Sequence, residues 1–277
     1  MVVHPTALID SKAEVGDDNE IGAYTVIEGN VKIGNRNKIG PHTIITGHTS
    51  IGDDNEIHGH VYIGNLPQDV SYKGGESYVR IGDKNIIREF TTIHRGTKEG
   101  TYTIIGNNNY IMVGCHVAHN CILGSNIIMV NCASLGGYVE VYDHAFISAF
   151  VTAHQFTRIG SYSICGFFTK VIKDIPPFMM VDGNPASVYG INVVGLRRKG
   201  FSPERRELLK KAYKLIYRSG INLKSSLEEL KKMSTTTVDE LQRGDLQMLI
   251  DFINGSKRGL LLKSPVQDEE PYEVHQL

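Results

Sequence analysis

Four of the chain's 11 histidines fall at related positions of a six-residue repeat that runs through most of the sequence. His116 and His119 are three residues apart. His94 and His154 occupy the position of the repeat next to that of His119. Neutral imidazole titrates near pH 7, which suits it to take a proton from a substrate. The spacing predicts four imidazoles, with a general base among them, at one edge of the fold.

The repeat also places a glycine beside the candidate base. Gly137 lies 18 residues after His119, and Gln155 lies 36 residues after it. A glycine at this place lets a ligand carbonyl approach a bare backbone N–H, which is an oxyanion arrangement. Gln68 and Asp69 belong to a loop whose base falls at the same edge. This combination indicates general-base chemistry on a carbonyl group.

These positions are set by a repeat of aliphatic residues. Steps of six from Val3 to Val171 meet an apolar residue everywhere except at Asp69, Gly75 and Glu99. A period of six fits neither a helix nor a simple strand, but it fits short strands joined by tight corners, each hexad placing one aliphatic side chain inward. The fold class is therefore mainly β, a parallel β-helix.

The corners define a longer period. The segments VGDDNEI, IGNRNKI and IGDDNEI begin at 15, 33 and 51, so one coil has 18 residues. The next similar segments begin at 81 and 105, which are 30 and then 24 residues further along the chain. These offsets exceed the coil length by two hexads and then by one hexad. External loops are expected at 64–80 and 95–104. Gly, Asn and Asp at the corners tolerate the left-handed backbone that tight turns need.

A zinc site is an alternative for the same histidines, because CHVAHNC at 115–121 is rich in potential ligands. Hexapeptide-repeat carbonic anhydrases bind zinc with three histidines between subunits, two of them two coils apart in one column. Here the positions 36 residues after His116 and His119 are Thr152 and Gln155. We therefore predict no metal and no other cofactor. A noncatalytic β-helix scaffold is a third hypothesis.

Composition limits the partners. The 277 residues include 29 Lys+Arg and 30 Asp+Glu, so the net charge of −1 argues against a protein that acts on nucleic acid or anionic lipid. No apolar run is long enough to cross a bilayer, and the N-terminus lacks the pattern of a signal peptide. These features predict a cytoplasmic protein without stable membrane insertion. The four cysteines show no CxxC spacing and are expected to be buried free thiols.

The pattern changes after the double proline at 176–177, where we expect the strand ladder to end. Ser202 before Pro203 predicts a helix start, and Ser225 with Glu228 predicts a capping box. A further helix is expected near 238–254. We therefore predict a β-helix over 1–190, an α-helical domain over 191–262 and a disordered tail over 263–277.

Several segments resemble the UDP-N-acetylglucosamine acyltransferase family of lipid A biosynthesis. The match runs in order from residue 3 to about 261. Its segments are PQDVSYKG at 67–74, IREFTTIHRGT at 87–97, HVAHNC at 116–121, TAHQF at 152–156, DIPPFMMVDGNPA at 174–186, GINVVGLRRKGFS at 190–202 and AYKLIYRSG at 212–220. Hexads alone do not identify one family, but HVAHNC, AHQF and GLRRKGFS together are specific for this one.

The resemblance implies a left-handed β-helix that transfers an R-3-hydroxyacyl group from acyl carrier protein to the glucosamine 3-position of the UDP-sugar. It implies His119 as the general base and the Gly137 N–H as the oxyanion donor, with no metal. It also implies a homotrimer with active sites between subunits. The related N-acyltransferase carries an additional N-terminal domain, and since the repeat begins at Val3 we expect none here.

Further roles follow from the same resemblance. It implies that the acyl 3-hydroxyl and the sugar are contacted by Gln68 and Asp69. It implies that the sugar and diphosphate region is lined by His94, His116, His154 and Gln155. The residues implied to face the nucleotide or the acidic carrier protein are Asn192, Arg198 and Lys199. Phe167 is expected to limit acyl-chain length.

Three positions depart from the family's usual residues. Asn120 replaces an aspartate after the base, Tyr138 replaces a histidine after Gly137, and Ser71 replaces a lysine in the first loop. The neutral Asn120 side chain supplies no negative charge to an imidazolium at His119. Some members use a 3-amino sugar nucleotide, and the residues leave oxygen and nitrogen acceptors equally open.

Overall fold

Three parallel sheets form the sides of a prism in the computed structural model, which describes residues 1–262. Sheet 1 comprises Val2–Val3, Glu20–Ile21, Lys38–Ile39, Glu56–Ile57, Ile86–Ile87, Tyr110–Ile111, Ile128–Met129, Phe146–Ile147, Ile164–Cys165, Met179–Asp182 and Ser187–Ile191. Sheet 2 comprises Leu8–Ile9, Val26–Ile27, Ile44–Ile45, Tyr62–Asn65, Thr92–His94, His116–Val117, Ser134–Leu135, Thr152–Ala153 and Lys170–Val171. Sheet 3 comprises Glu14–Val15, Lys32–Ile33, His48–Ile51, Tyr78–Ile81, Tyr102–Ile105, Ile122–Leu123, Glu140–Val141 and Arg158–Ile159.

The strand register confirms the coil length and the parallel β-helix. Val3 pairs with Ile21, which is the uninterrupted offset of one coil. Ile57 pairs with Ile87, and Ile81 pairs with Ile105, so the extra residues loop out without disturbing the ladder. The first external loop lies between strands Tyr62–Asn65 and Tyr78–Ile81, and the second lies between Thr92–His94 and Tyr102–Ile105. The inward residue of each hexad is buried, and these aliphatic side chains form one continuous core.

The three edges of the prism are named by the sheets that they join. The 2–3 edge carries His119 and Gly137, and the 3–1 edge carries His144 and Tyr162. The 1–2 edge carries Phe150 and, one coil later, Phe168.

Corner chemistry differs from the sequence expectation on the 1–2 edge. Positive φ occurs there at Tyr24, His42, His60 and Phe90, none of which is Gly, Asn or Asp. Their rings stack in sequence, with centroids 4.8 to 5.2 Å apart. Contact between stacked rings offsets the cost of a left-handed backbone in these residues.

In the corner segments of the 3–1 edge, positive φ falls on Asp18, Asp54 and Asn108, as predicted, but also on Arg36 and Lys84. The asparagine that comes next has a separate role. Asn19, Asn37, Asn55, Asn85 and Asn109 are buried, and each follows directly after the residue with positive φ. The Asn37 Nδ2 donates to the Asn19 Oδ1 at 3.1 Å, and the Asn55 Nδ2 donates to the Asn37 Oδ1 at 3.0 Å. The repeated asparagine thus forms a buried amide ladder whose polar groups are satisfied from coil to coil.

The expectation that the ladder ends at the double proline is wrong. Met179–Asp182 still pairs in parallel with Ile164–Cys165, and Ser187–Ile191 adds an antiparallel strand. Pro176 and Pro177 lie in the corner before Met179–Asp182, where their missing N–H groups cost the ladder nothing.

Four helices follow in the part of the chain up to residue 262: α1 (Val193–Arg198), α2 (Pro203–Tyr217), α3 (Leu223–Thr236) and α4 (Glu240–Asn254). The predicted Ser202 cap is confirmed, since its side chain accepts from the Arg205 N–H. The predicted capping box is wrong, because Asn222 caps α3 and Ser225 donates its backbone N–H to that cap. The two-domain division at 190 stays a prediction, and the tail over 263–277 lies outside the described residues.

No helix within residues 1–262 is both long and apolar enough to cross a bilayer. The cytoplasmic location stays a prediction. All four cysteines are free, and Cys115, Cys121 and Cys165 are buried as predicted, whereas Cys132 is half-buried. Burial raises the pKa of each of the three buried thiols to about 12, so they carry no reactive thiolate.

Candidate active site

His119 occupies the 2–3 edge directly after strand His116–Val117 and is buried. Its Nδ1 lies 2.6 Å from the Thr97 Oγ1 and 3.0 Å from the Asn120 Oδ1. The Asn120 Oδ1 also accepts the Thr97 backbone N–H at 3.0 Å, which fixes this atom as the amide oxygen. An amide oxygen only accepts, so Nδ1 of His119 carries the ring proton. The Nε2 lone pair is then available to take a proton.

Asp69 supplies a negative charge on the other side of this imidazole. Its Oδ2 lies 3.7 Å from the His119 Nε2. The Ser71 backbone N–H donates to the Asp69 Oδ1 at 2.8 Å and is the main reason that the pKa of Asp69 is lowered, with the His119 charge a smaller cause. The carboxylate is therefore ionised at neutral pH. It provides the charge that the neutral Asn120 side chain lacks.

Gly137 lies against the imidazole ring, one coil above His119. A Cβ at Gly137 would be 2.3 Å from the His119 Cε1 and 2.5 Å from its Nε2. The absence of a side chain is therefore required for the ring to occupy this place. The Gly137 N–H has no hydrogen-bond acceptor within residues 1–262, whereas the flanking Gly136 and Tyr138 N–H groups are both bonded. This arrangement leaves one backbone donor next to the base.

Two further histidines, His94 and His116, lie near His119 and have neutral rings. The His94 and His116 centroids are 5.3 Å apart. Burial lowers the pKa of both, and that of His116 falls to about 4. The His94 Nδ1 is 2.6 Å from the Leu66 carbonyl oxygen, so His94 holds the start of the loop that carries Asp69. Neither ring is charged at neutral pH.

A cavity of about 410 Å³ opens at this edge. Six of the sequence-predicted residues line it: Gln68, His116, His119, Gly137, His154 and Gln155. His94 lies behind the cavity and does not line it. These six are half of the residues that line the cavity.

Other predicted residues lie on different edges. Asn192 caps α1 and donates from Nδ2 to the Tyr162 carbonyl oxygen at 2.9 Å, on the 3–1 edge. Arg198 and Lys199 follow at the end of α1 and are exposed. Phe167 is 62% exposed in the corner between sheets 1 and 2. A single chain therefore does not bring these four residues to the cavity.

Sequence reasoning missed Thr97 and Arg258. Thr97 lies in the six-residue insertion, where the repeat gives no column position, and it contacts His119 across 22 residues. Arg258 contacts His154 from beyond α4. The signal for Thr97 was its place in the segment IHRGT beside His94, but nothing in the repeat pointed to Arg258.

Comparison with known proteins places the chain among relatives of one enzyme family. A family model described as UDP N-acetylglucosamine O-acyltransferase, domain 2, matches residues 174–261, and a bacterial transferase hexapeptide model matches 12–47 and 30–65. The acyl-[acyl-carrier-protein]--UDP-N-acetylglucosamine O-acyltransferase of Halorhodospira halophila is 45% identical over 94% of this chain and 98% of its own length. That of Thiobacillus denitrificans is 46% identical with the same coverage.

The chain belongs to the UDP-N-acetylglucosamine O-acyltransferase family. It is an acyltransferase. The UDP-N-acetylglucosamine acyltransferase of Francisella novicida superimposes with a TM-score of 0.90 at 39% identity, covering 95% of both chains. The Acinetobacter baumannii structure gives 0.89 at 38% identity, covering 94% of this acyltransferase and all of that chain. These matches confirm the left-handed parallel β-helix and favour acyl transfer over the zinc enzyme and the scaffold.

Proposed function

We propose that this acyltransferase moves an R-3-hydroxyacyl group from acyl carrier protein to the glucosamine 3-position of UDP-N-acetylglucosamine or its 3-amino analogue, in lipid A biosynthesis. The names of its relatives supply both substrates. The observation that carries the proposal is His119, whose Nδ1 is held by Thr97 and Asn120 while its ring lies against Gly137. A base and an oxyanion donor at one place are what acyl transfer to a hydroxyl needs.

The reaction follows from this geometry. The His119 Nε2 takes the proton from the sugar 3-hydroxyl as its oxygen attacks the thioester carbonyl carbon. The new C–O bond places negative charge on the carbonyl oxygen, and the Gly137 N–H stabilises that charge. The Asp69 carboxylate stabilises the imidazolium. Collapse of the intermediate breaks the C–S bond, and the thiol of the carrier's prosthetic group leaves with the proton held by His119.

The remaining cavity residues are proposed to bind the substrates. Gln68 lines the cavity, and Asp69 follows it on the first external loop beside His119. These two residues are proposed to contact the acyl 3-hydroxyl and the sugar. The imidazoles of His116 and His154, with the Gln155 amide, line the sugar and diphosphate region, and His94 supports them from behind.

The assembly is proposed to be a homotrimer with its sites between subunits. In support, Asn192 bonds to Tyr162 on the 3–1 edge and begins α1, at whose end Arg198 and Lys199 lie. His119 belongs to the 2–3 edge of the same chain. A neighbouring copy that apposes these two edges brings the cations to the cavity. There they would face the anionic nucleotide or the acidic carrier protein.

Subunit mixing tests this arrangement. Trimers of His119→Ala and trimers of Arg198→Glu with Lys199→Glu are each expected to be nearly inactive. Random mixing of the two chains is expected to restore about a quarter of the wild-type activity, because that share of sites combines two intact edges. The measurement is turnover after co-refolding or co-expression.

The matched control reverses two exposed cations of α3, Lys224→Glu with Lys231→Glu, and is expected to remain active alone. If the mixed trimers stay as inactive as their parents, each site is built from one chain and the proposal of shared sites is wrong.

Phe167 is expected to limit acyl-chain length. A benzyl group across an apolar groove occupies the space of several methylenes, each worth about 0.8 kcal/mol when buried, or about fourfold in kcat/KM. The wild type should prefer shorter hydroxyacyl chains, and Phe167→Gly should move the optimum to longer ones. The measurement is kcat/KM across a panel of hydroxyacyl carrier proteins.

Phe168→Gly is the control for Phe167, because Phe168 is equally exposed but stacks on Phe150 at 4.9 Å. An unchanged chain-length profile for Phe167→Gly, or an equal shift for both variants, places the end of the groove elsewhere.

The substrate assignment is tested by mass spectrometry. Purified protein is supplied with UDP-N-acetylglucosamine or its 3-amino analogue and with a panel of 3-hydroxyacyl carrier proteins. We expect one acylated sugar nucleotide, and the identity of the better acceptor decides between an ester and an amide. Absence of product with every combination would refute the proposed function.

A further inference from the structure

The chain returns to the active site after α4 as a short segment, residues 255–261, which we call the C-terminal arm. The buried Asp174 carboxylate anchors it, accepting the Arg158 backbone N–H at 2.9 Å and the Ser256 hydroxyl at 2.7 Å. The Asp174 N–H donates to the Gly259 carbonyl oxygen at 3.0 Å, and the Leu261 N–H donates to the Asp174 carbonyl oxygen at 2.8 Å. These bonds fix the position of the arm on the last coils of the β-helix.

Arg258 projects from this arm to His154. Its Nε donates to the Ile172 carbonyl oxygen at 3.1 Å, and its Nη2 donates to the His154 Nδ1 at 2.9 Å. The Lys173 Nζ donates to the Arg258 carbonyl oxygen at 2.8 Å, which holds the backbone of the arm at the same point. Arg258 is half-buried, and it is held at its guanidinium by Ile172 and at its backbone by Lys173. These contacts orient the guanidinium toward the imidazole.

This contact decides which nitrogen of His154 carries the ring proton. A guanidinium has only N–H donors, so the His154 Nδ1 accepts and has no hydrogen of its own. The Gln155 carbonyl oxygen, 3.2 Å from the same nitrogen, is then an acceptor facing an acceptor and makes no hydrogen bond. The neutral ring therefore carries its proton on Nε2. Because His154 lines the cavity, that N–H is available to an oxygen of a bound molecule.

We propose that Arg258 is a positioning residue for the sugar nucleotide, and that it acts by holding His154 as a hydrogen-bond donor toward an acceptor oxygen of that substrate. The C-terminal arm is thereby part of the binding site. The inference rests on the proposed function for the identity of the ligand, whereas the tautomer of His154 does not depend on it.

Steady-state kinetics test the effect on binding. Arg258→Ala is expected to raise KM for UDP-N-acetylglucosamine about tenfold, the effect of one lost substrate hydrogen bond, while kcat stays within about twofold. Arg258→Lys keeps the charge but lacks the forked donors that reach both Ile172 and His154, so it should raise KM equally. Lys257→Ala, which removes the exposed neighbouring cation, is the matched control and should leave KM unchanged.

A double-mutant cycle tests whether Arg258 acts through His154. In a His154→Ala background, Arg258→Ala is expected to cause no further rise in KM. Additive effects of the two substitutions, or a KM rise for Lys257→Ala equal to that for Arg258→Ala, would overturn the proposal.

Nuclear magnetic resonance of ring-labelled histidine in the substrate-free protein tests the tautomer alone, with the His154 signals assigned by loss in His154→Ala. We expect an Nε2–H imidazole in the wild type and a shift of its ring nitrogens in Arg258→Ala. An Nδ1–H ring in the wild type overturns the proposal. If the wild-type protein catalyses no acyl transfer, the proposed function is refuted. The resonances of the His154 ring nitrogens still decide the role of Arg258 in that case.

Discussion

His119→Ala is expected to lower kcat about 10²–10⁴-fold, because a positioned general base contributes a factor of that size. The imidazole is held at Nδ1 by Thr97 and Asn120, which keep their own hydrogen bond to each other when the ring is removed. His119 lies at a corner, outside the aliphatic core, so the fold and oligomeric state should survive. The measurements are turnover in the mass-spectrometric assay and sedimentation velocity.

His4→Ala is the matched control for this substitution. His4 is exposed in the first coil, and its ring contacts the Thr6 hydroxyl rather than the active site. It should retain wild-type turnover. Near-normal activity of purified His119→Ala would refute the assignment of the base, since His119 is the imidazole that lies against both Asp69 and Gly137 in the described part of the chain.

Gly137→Ala is expected to lower kcat about 10²-fold, the effect of displacing a catalytic group by about 1 Å. The alanine Cβ would lie 2.3–2.5 Å from atoms of the His119 ring, so the ring must move. Alanine keeps the backbone N–H, and the loss therefore reports on the position of the base rather than on a missing oxyanion donor. The measurement is kcat, with a crystal structure of the variant to locate the ring.

The control is Gly244→Ala in α4, where an added Cβ meets nothing within 4 Å. It should leave kcat unchanged and slightly increase stability, because alanine favours helix over glycine. Full activity of Gly137→Ala with a displaced His119 ring would show that catalysis does not need the base at this position.

Much of this site was accessible from the sequence because a β-helix converts sequence spacing into spatial neighbours. Residues one coil apart are hydrogen-bonded strand partners, so a constant offset in the chain is a constant step along the prism. The offset of Gly137 from His119 therefore predicted that the glycine lies one coil above the base. The periodic aliphatic residues determined the coil for the same reason, since each must face the interior.

Residue type alone predicted the backbone of the corners only in part. Asp18, Asp54 and Asn108 adopt the predicted left-handed backbone. The next asparagine of the corner segments forms the buried amide ladder instead, and aromatic rings adopt the positive φ at the 1–2 edge. Stacking between coils decides this, and no single hexad contains it.

The sequence by itself determined the coil length, the inward residues and the column of His119, Gly137 and Gln155. Only the tertiary structure decided the partners that control the imidazoles: Thr97 and Asp69 from the inserted loops, and Arg258 from the arm. The physical reason is that these segments leave the repeat. Arg258 meets His154 across 104 residues, an offset fixed by the path of the helices and by the Asp174 anchor rather than by any period in the chain.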